Sequence, residues 1–164
     1  MPKSQSEKAP SRDFVRVGRS RIEGTGVFAK RKIAKGTRII EYIGERVPVS
    51  SFLVAASEGN APSIYAFRVN DSFIIDGAIN GNESRFINHA CDPNCEAYVF
   101  DDKPYIYAMR DITRGEELTF DYRLHSTIRT TITAGDRERH RCLCGSENCR
   151  GTMIADKKKR TRKP

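Results

Sequence analysis

The stretch Arg85-Phe-Ile-Asn-His-Ala-Cys-Asp-Pro-Asn-Cys95 constrains the fold of this chain more than any other. It is too short and too irregular to read as a core strand or helix, yet it sets Arg85, Asn88 and His89 among Phe86, Ile87 and Ala90. Polar groups in that company are costly to bury unless hydrogen-bonded, so the fold must build a network there or offer them to a ligand. His89 alone reads as a satisfied core histidine, since no neighbour supplies the nucleophile of a triad. A second cluster, Glu116-Glu-Leu-Thr-Phe-Asp-Tyr122, follows after two apolar runs, and Cys142-Leu-Cys144 with Cys149 follows after a polar interval. The intervening chain has to bring these three clusters together.

That chain is written in short apolar runs punctuated by Gly and Pro, a pattern of strands and loops. Strands are expected over 14–17, from 27, over 38–44, 65–69, 73–75, 97–100, 105–109 and 117–120. Asn70-Asp71 and Asp101-Asp-Lys-Pro104 read as hairpin turns. Helix is confined to 52–56, capped by Ser50 or Ser51 and ended near Gly59, and to part of 129–138. The expected class is mainly β, made of small curled sheets. At 164 residues the chain suits one domain.

No apolar stretch approaches a membrane span, and residues 1–12 lack a hydrophobic signal core, so a non-exported protein without membrane contact is expected. The net charge is +8, and six of the last eight residues are basic. A run of that kind reads as a solvated tail, a localisation signal or a contact for nucleic acid.

Cysteine carries a further constraint. Five is an odd number, and Cys142, Cys144 and Cys149 fall within eight residues, which suits metal ligation in a reducing compartment better than disulfides. Tetrahedral zinc takes four ligands. Spacing alone leaves His140, Cys91 and Cys95 open as the fourth.

Taken in order with an early Gly24-Thr25-Gly26, the segments Arg85–His89, Glu117–Tyr122 and Cys142–Cys149 resemble the SET-domain protein lysine methyltransferases over about 15–153. The resemblance implies a free-standing SET domain over 14–124 and a linker and post-SET zinc segment over 125–154, while composition gives a disordered lead-in over 1–13 and a basic tail over 155–164. It implies a pseudoknot-like threading of the 85–95 segment beside 117–122. Gly24, Thr25 and Gly26 would hold S-adenosylmethionine through main-chain groups, although Thr25 stands where a bulkier residue is usual. Arg85, Phe86, Asn88, His89, Tyr122 and Leu143 would complete the cofactor site. Tyr122 would be catalytic, with Tyr65 and Phe120 lining a lysine channel. One structural zinc would sit on Cys95, Cys142, Cys144 and Cys149, leaving Cys91 a small buried thiol.

The chemistry suits these residue types. A lysine amine with a pKa near ~10.4 must lose its proton before attacking a sulfonium methyl, and an apolar aromatic channel disfavours the charged form. The resemblance implies a protein substrate, a histone or another basic protein, acted on in the nucleus or in a bacterial cytoplasm by a monomer. Phe120, where a tyrosine would restrict the channel, implies di- or trimethylation. The rival reading is a SET-like, zinc-stabilised chromatin or nucleic-acid module without catalysis.

Overall fold

The computed structural model describes residues 12–58, 63–125 and 132–155. Among these residues, ten strands form two sheets. The larger runs β1 (Val15–Arg19), β2 (Thr25–Ala29), β10 (Glu117–Phe120), β8 (Cys95–Phe100), β9 (Lys103–Ala108) and β3 (Arg38–Glu41), with the short β7 (Asn88–His89) also on β10. The smaller sheet orders β4 (Glu45–Pro48), β6 (Phe73–Asp76) and β5 (Ala66–Arg68). Among the described residues, helices are limited to α1 (Val49–Ser57) and α2 (Ala134–Arg139), with 3-10 turns at Arg12–Phe14 and Glu83–Phe86. None of the described helices is long and apolar enough to cross a membrane.

β10 organises the fold. Its Glu117 and Leu118 pair antiparallel with Phe28 and Val27, then Thr119 and Phe120 pair in parallel with Asn88 and His89. Phe120 also pairs in parallel with Cys95. The two arms of the 88–95 segment thus flank one strand, which is the threaded arrangement the resemblance implies. Asn94, 3% exposed, ties the crossing: its amide donates to Glu117 O at 2.8 Å and Glu116 Oε1 at 2.9 Å, and its Oδ1 accepts from Thr119 N at 2.9 Å. Behind this crossing lies the core, with Val27, Ile33, Ile39, Ile87, Ile106, Ile112 and Leu118 no more than 1% exposed. Each such side chain stabilises the fold by roughly 1.5–3 kcal/mol over its exposed state.

Local differences from the sequence reading have plain causes. The β8–β9 turn is the two residues Asp101 and Asp102, at φ 50° and 57°, with Phe100 opposite Lys103. Two consecutive left-handed residues match the strand twist in a two-residue hairpin, so Pro104 lies inside β9 and not in the turn. α1 starts at Val49, whose N–H donates to Ser72 O, so strand pairing passes directly into the helix and Ser50 and Ser51 lie in its first turn. α2 is shorter than expected because Thr133 caps it in a capping box with Asp136. The expected helix at 129–131, the lead-in over 1–11 and the basic tail over 156–164 lie outside the described residues.

Candidate active site and cysteine cluster

Gly24 adopts φ +45°, and a Cβ on the buried Gly26 would collide with Glu117 Oε1. A side chain there would have to push the Glu117 carboxylate out of its place against the loop. The same Oε1 accepts from Ser20 Oγ at 2.7 Å and Asn88 Nδ2 at 3.0 Å. Asn88 Nδ2 also lies 3.2 Å from Glu23 O and 3.1 Å from Thr25 O, so one amide pins the glycine loop to the central segment.

Asn88, His89, Tyr122, Cys142 and Leu143 line one cleft with Ile22, Glu23, Arg141 and Met153. All three sequence clusters and the segment leading into the glycine loop meet there. Thr25 and the two glycines shape the loop behind the cleft. Arg85 and Phe86 lie elsewhere: the Phe86 ring meets Tyr65 edge-on at 5.8 Å, the Arg85 guanidinium lies 4.6 Å over Phe86, and Arg85 Nη1 donates to Gly77 O at 3.0 Å. They support Tyr65 instead of lining the cleft.

Beside the cleft runs a row of aromatic rings. Tyr122 and Phe120 are 4.9 Å apart, Phe120 and Phe67 6.3 Å, and Phe67 and Tyr42 5.2 Å. The Tyr42 hydroxyl donates to Tyr65 O at 2.8 Å, joining Tyr65 to the row. Tyr122 is held at two points: its hydroxyl donates to Ile87 O at 2.6 Å and its N–H donates to His89 Nδ1 at 3.1 Å. Burial raises the Tyr122 and Tyr42 hydroxyls above their ordinary range, so both stay protonated. Burial also lowers the His89 pKa, against the pull of Asp121, which favours a neutral ring.

Cys91, Cys142, Cys144 and Cys149 place their sulfurs within 4.8 Å of one another. Cys91 takes the fourth place expected for Cys95. Cys95 is fully buried in β8, with Phe120 and Ala108 as ladder partners, and burial pushes its thiol up to about 12. Cys91 lies on the loop after β7, where Arg150 N donates to its sulfur at 3.3 Å. Tetrahedral zinc with bonds near 2.3 Å needs sulfurs about 3.8 Å apart. The Cys91–Cys142 and Cys91–Cys149 separations of 3.7 and 4.0 Å fit such an ion. Burial raises the Cys91 and Cys142 thiols. For Cys144 burial is outweighed by hydrogen bonds from Cys91 N–H and Ser146, leaving it at about 6. A bound dication would hold all four as thiolates.

The C-terminal segment is fixed beside Tyr122 by Leu124 and Arg141, which bridge to Ile154 and Thr152. Tyr42, Phe67, Asn94, Met153 and Arg150 escaped the sequence reading. Only Tyr42 and Phe67 carried a usable signal, as aromatics inside strand-like runs near Tyr65.

Residues 24–123 match the SET domain model, and the chain belongs to that family. It is 39% identical over 150 residues to histone-lysine N-methyltransferase trr of Drosophila melanogaster, covering 87% of this chain and 6% of that protein. It is 41% identical over 146 residues to the H3 lysine-4 specific histone-lysine N-methyltransferase of Saccharomyces cerevisiae, covering 85% and 13%. For human histone-lysine N-methyltransferase 2D the identity is 40% over 145 residues, covering 85% and 2%. The chain thus spans a small part of these relatives. A solved humanized mutant of the Chaetomium thermophilum Polycomb Repressive Complex 2 bound to an inhibitor shares 32% identity at a TM-score of 0.60, covering 70% of this chain and 15% of that one.

Proposed function

We propose that this chain is a protein-lysine N-methyltransferase dependent on S-adenosylmethionine, acting on a histone or another basic protein. The carrying observation is the meeting of Asn88, His89, Tyr122 and Leu143 in one cleft beside the aromatic row. S-adenosylmethionine, when bound, supplies an electrophilic methyl group on a sulfonium. Asn88, His89, Leu143 and Met153 would hold it, with the glycine loop behind them. Phe120, Phe67, Tyr42 and Tyr65 form a wall that disfavours an ammonium, so a lysine held there gives up its proton more readily. Tyr122, fixed by Ile87 O and His89 Nδ1, would orient the amine for in-line attack, which supplies most of the acceleration.

The four cysteines would hold one structural zinc, tying the 142–153 segment over the cleft. Phe120 itself brings no hydroxyl to the channel, which supports di- or trimethyllysine as product. Nucleic-acid contact through the basic tail would suit a chromatin substrate. A labelled-methyl assay on histones and on total lysate tests the activity, and calorimetry with S-adenosylmethionine tests the cleft. A protein that neither binds the cofactor nor labels any substrate would instead be the non-catalytic module.

A further inference from the structure

His89 stands between the two halves of the site. Its side chain is 2% exposed, and each ring nitrogen has a hydrogen-bond partner inside the protein. Nδ1 accepts the Tyr122 N–H at 3.1 Å, and Nε2 faces Cys91 Sγ at 3.5 Å. A nitrogen that accepts carries a lone pair, so the ring is neutral and its proton sits on Nε2, aimed at the sulfur. Asp121 Oδ1, 3.6 Å from Nδ1, would favour a proton there. The Tyr122 N–H already occupies that lone pair, and the Arg150 guanidinium takes both Asp121 oxygens at 2.8 and 2.9 Å. The Cys91 sulfur accepts a second donor, Arg150 N–H.

We propose that His89 is a positioning residue that couples the cysteine-held metal to Tyr122: one rigid ring donates to the Cys91 thiolate and accepts from the Tyr122 backbone. This rests on the zinc reading above and not on the identity of the methylated protein. Between the two hydrogen bonds there is no rotatable bond, so displacement of Cys91 carries over to Tyr122. Hydrogen bonding to a metal-bound thiolate tunes the ligand as other outer-shell contacts do. Metal and tyrosine thereby act as a unit, although their residues are far apart in sequence.

Two substitutions divide the roles. His89→Asn keeps an acceptor at the δ position and loses the donor to Cys91. His89→Gln keeps a donor at the ε position and loses the acceptor for Tyr122 N–H. The Asn variant is expected to release metal to a chromogenic chelator about tenfold faster than the wild type. The Gln variant is expected to release it near the wild-type rate while kcat on a lysine peptide falls and KM stays. Equal release rates in the two variants, with metal present in both, would overturn the coupling alone. Elemental analysis showing no metal in the wild-type protein would overturn the zinc reading and the coupling together. Nitrogen-15 shifts of His89 in the wild-type protein give a check independent of variant folding. The proposal requires a protonated Nε2 and a bare Nδ1, and it fails if the proton is on Nδ1.

Discussion

Asp121 and Arg150 face each other in a two-point ion pair, Nη1 to Oδ2 at 2.9 Å and Nη2 to Oδ1 at 2.8 Å, each side chain no more than 20% exposed. The pair joins the residue before Tyr122 to the segment carrying three of the clustered cysteines. Planar, paired hydrogen bonds of this kind depend on the guanidinium fork. Arg150→Lys keeps the charge and loses the fork. We predict destabilisation of about 2 kcal/mol in urea unfolding, together with faster metal release. Unchanged stability would mean that the pair contributes nothing to closure.

The cysteine assignment separates two residues four positions apart. Cys91→Ser is predicted to leave less than one equivalent of metal after dialysis, because it removes a ligand. Cys95→Ser should retain a full equivalent, at a stability cost of about 1–3 kcal/mol for a hydroxyl placed in the core. The reverse pattern in elemental analysis would return the fourth position to Cys95.

The contrast between those two cysteines also shows what the sequence carries. The three clusters are legible because glycine, asparagine and paired thiols in local spacing have few cheap explanations. The strands follow from short runs between turn residues. Which of Cys91 and Cys95 turns toward the cluster depends on where β8 begins and which way its first side chain points, and neither is a local property. Asn94 is equally silent in sequence: its partners lie on β10 and on Glu116 just before it, more than twenty residues away. Tyr42 reads as a plain strand residue until the smaller sheet brings Tyr65 O to its hydroxyl. Arg85 and Phe86 share a motif with Asn88 and His89, yet the 3-10 turn at Glu83–Phe86 and the start of β7 send the two pairs to different sides.

Glu116 makes the crossing sensitive to acid. Burial tends to raise its pKa, but hydrogen bonds from Arg110, Asn94 and Thr113 outweigh it and bring the carboxyl from 4.5 down to about 2. A folded pKa below the unfolded one adds stability that is present above about 4.5 and is lost as pH falls toward 2. Glu116→Gln should therefore be less stable at neutral pH and should lose less stability across that window. Parallel acid-unfolding curves for the two proteins would refute the assignment.

Tyr122→Phe removes one oxygen and little volume. The ring contacts with Phe120 and His89 remain, while Ile87 O loses its donor. We predict cofactor affinity close to wild type by calorimetry and a fall in methyl transfer on the order of 100-fold, the scale of misplacing a reacting group. Turnover at the wild-type rate would remove Tyr122 from the reaction.

We predict that Phe120 governs how many methyl groups are transferred. It is 7% exposed, ladder partner to both His89 and Cys95, with its ring between Phe67 and Tyr122. Each added methyl needs space and removes a donor from the amine. A hydroxyl at this position would hold water that competes for that space, whereas the phenyl ring holds none. Phe120→Tyr should therefore shift the product toward monomethyllysine without abolishing transfer. If Phe120 serves packing alone, the substitution would instead lower stability by about 1–3 kcal/mol, the usual cost of overfilling a core, and leave the product pattern unchanged. Mass spectrometry of a peptide run to completion separates these outcomes, and a wild-type reaction that stops at one methyl group refutes the steric argument.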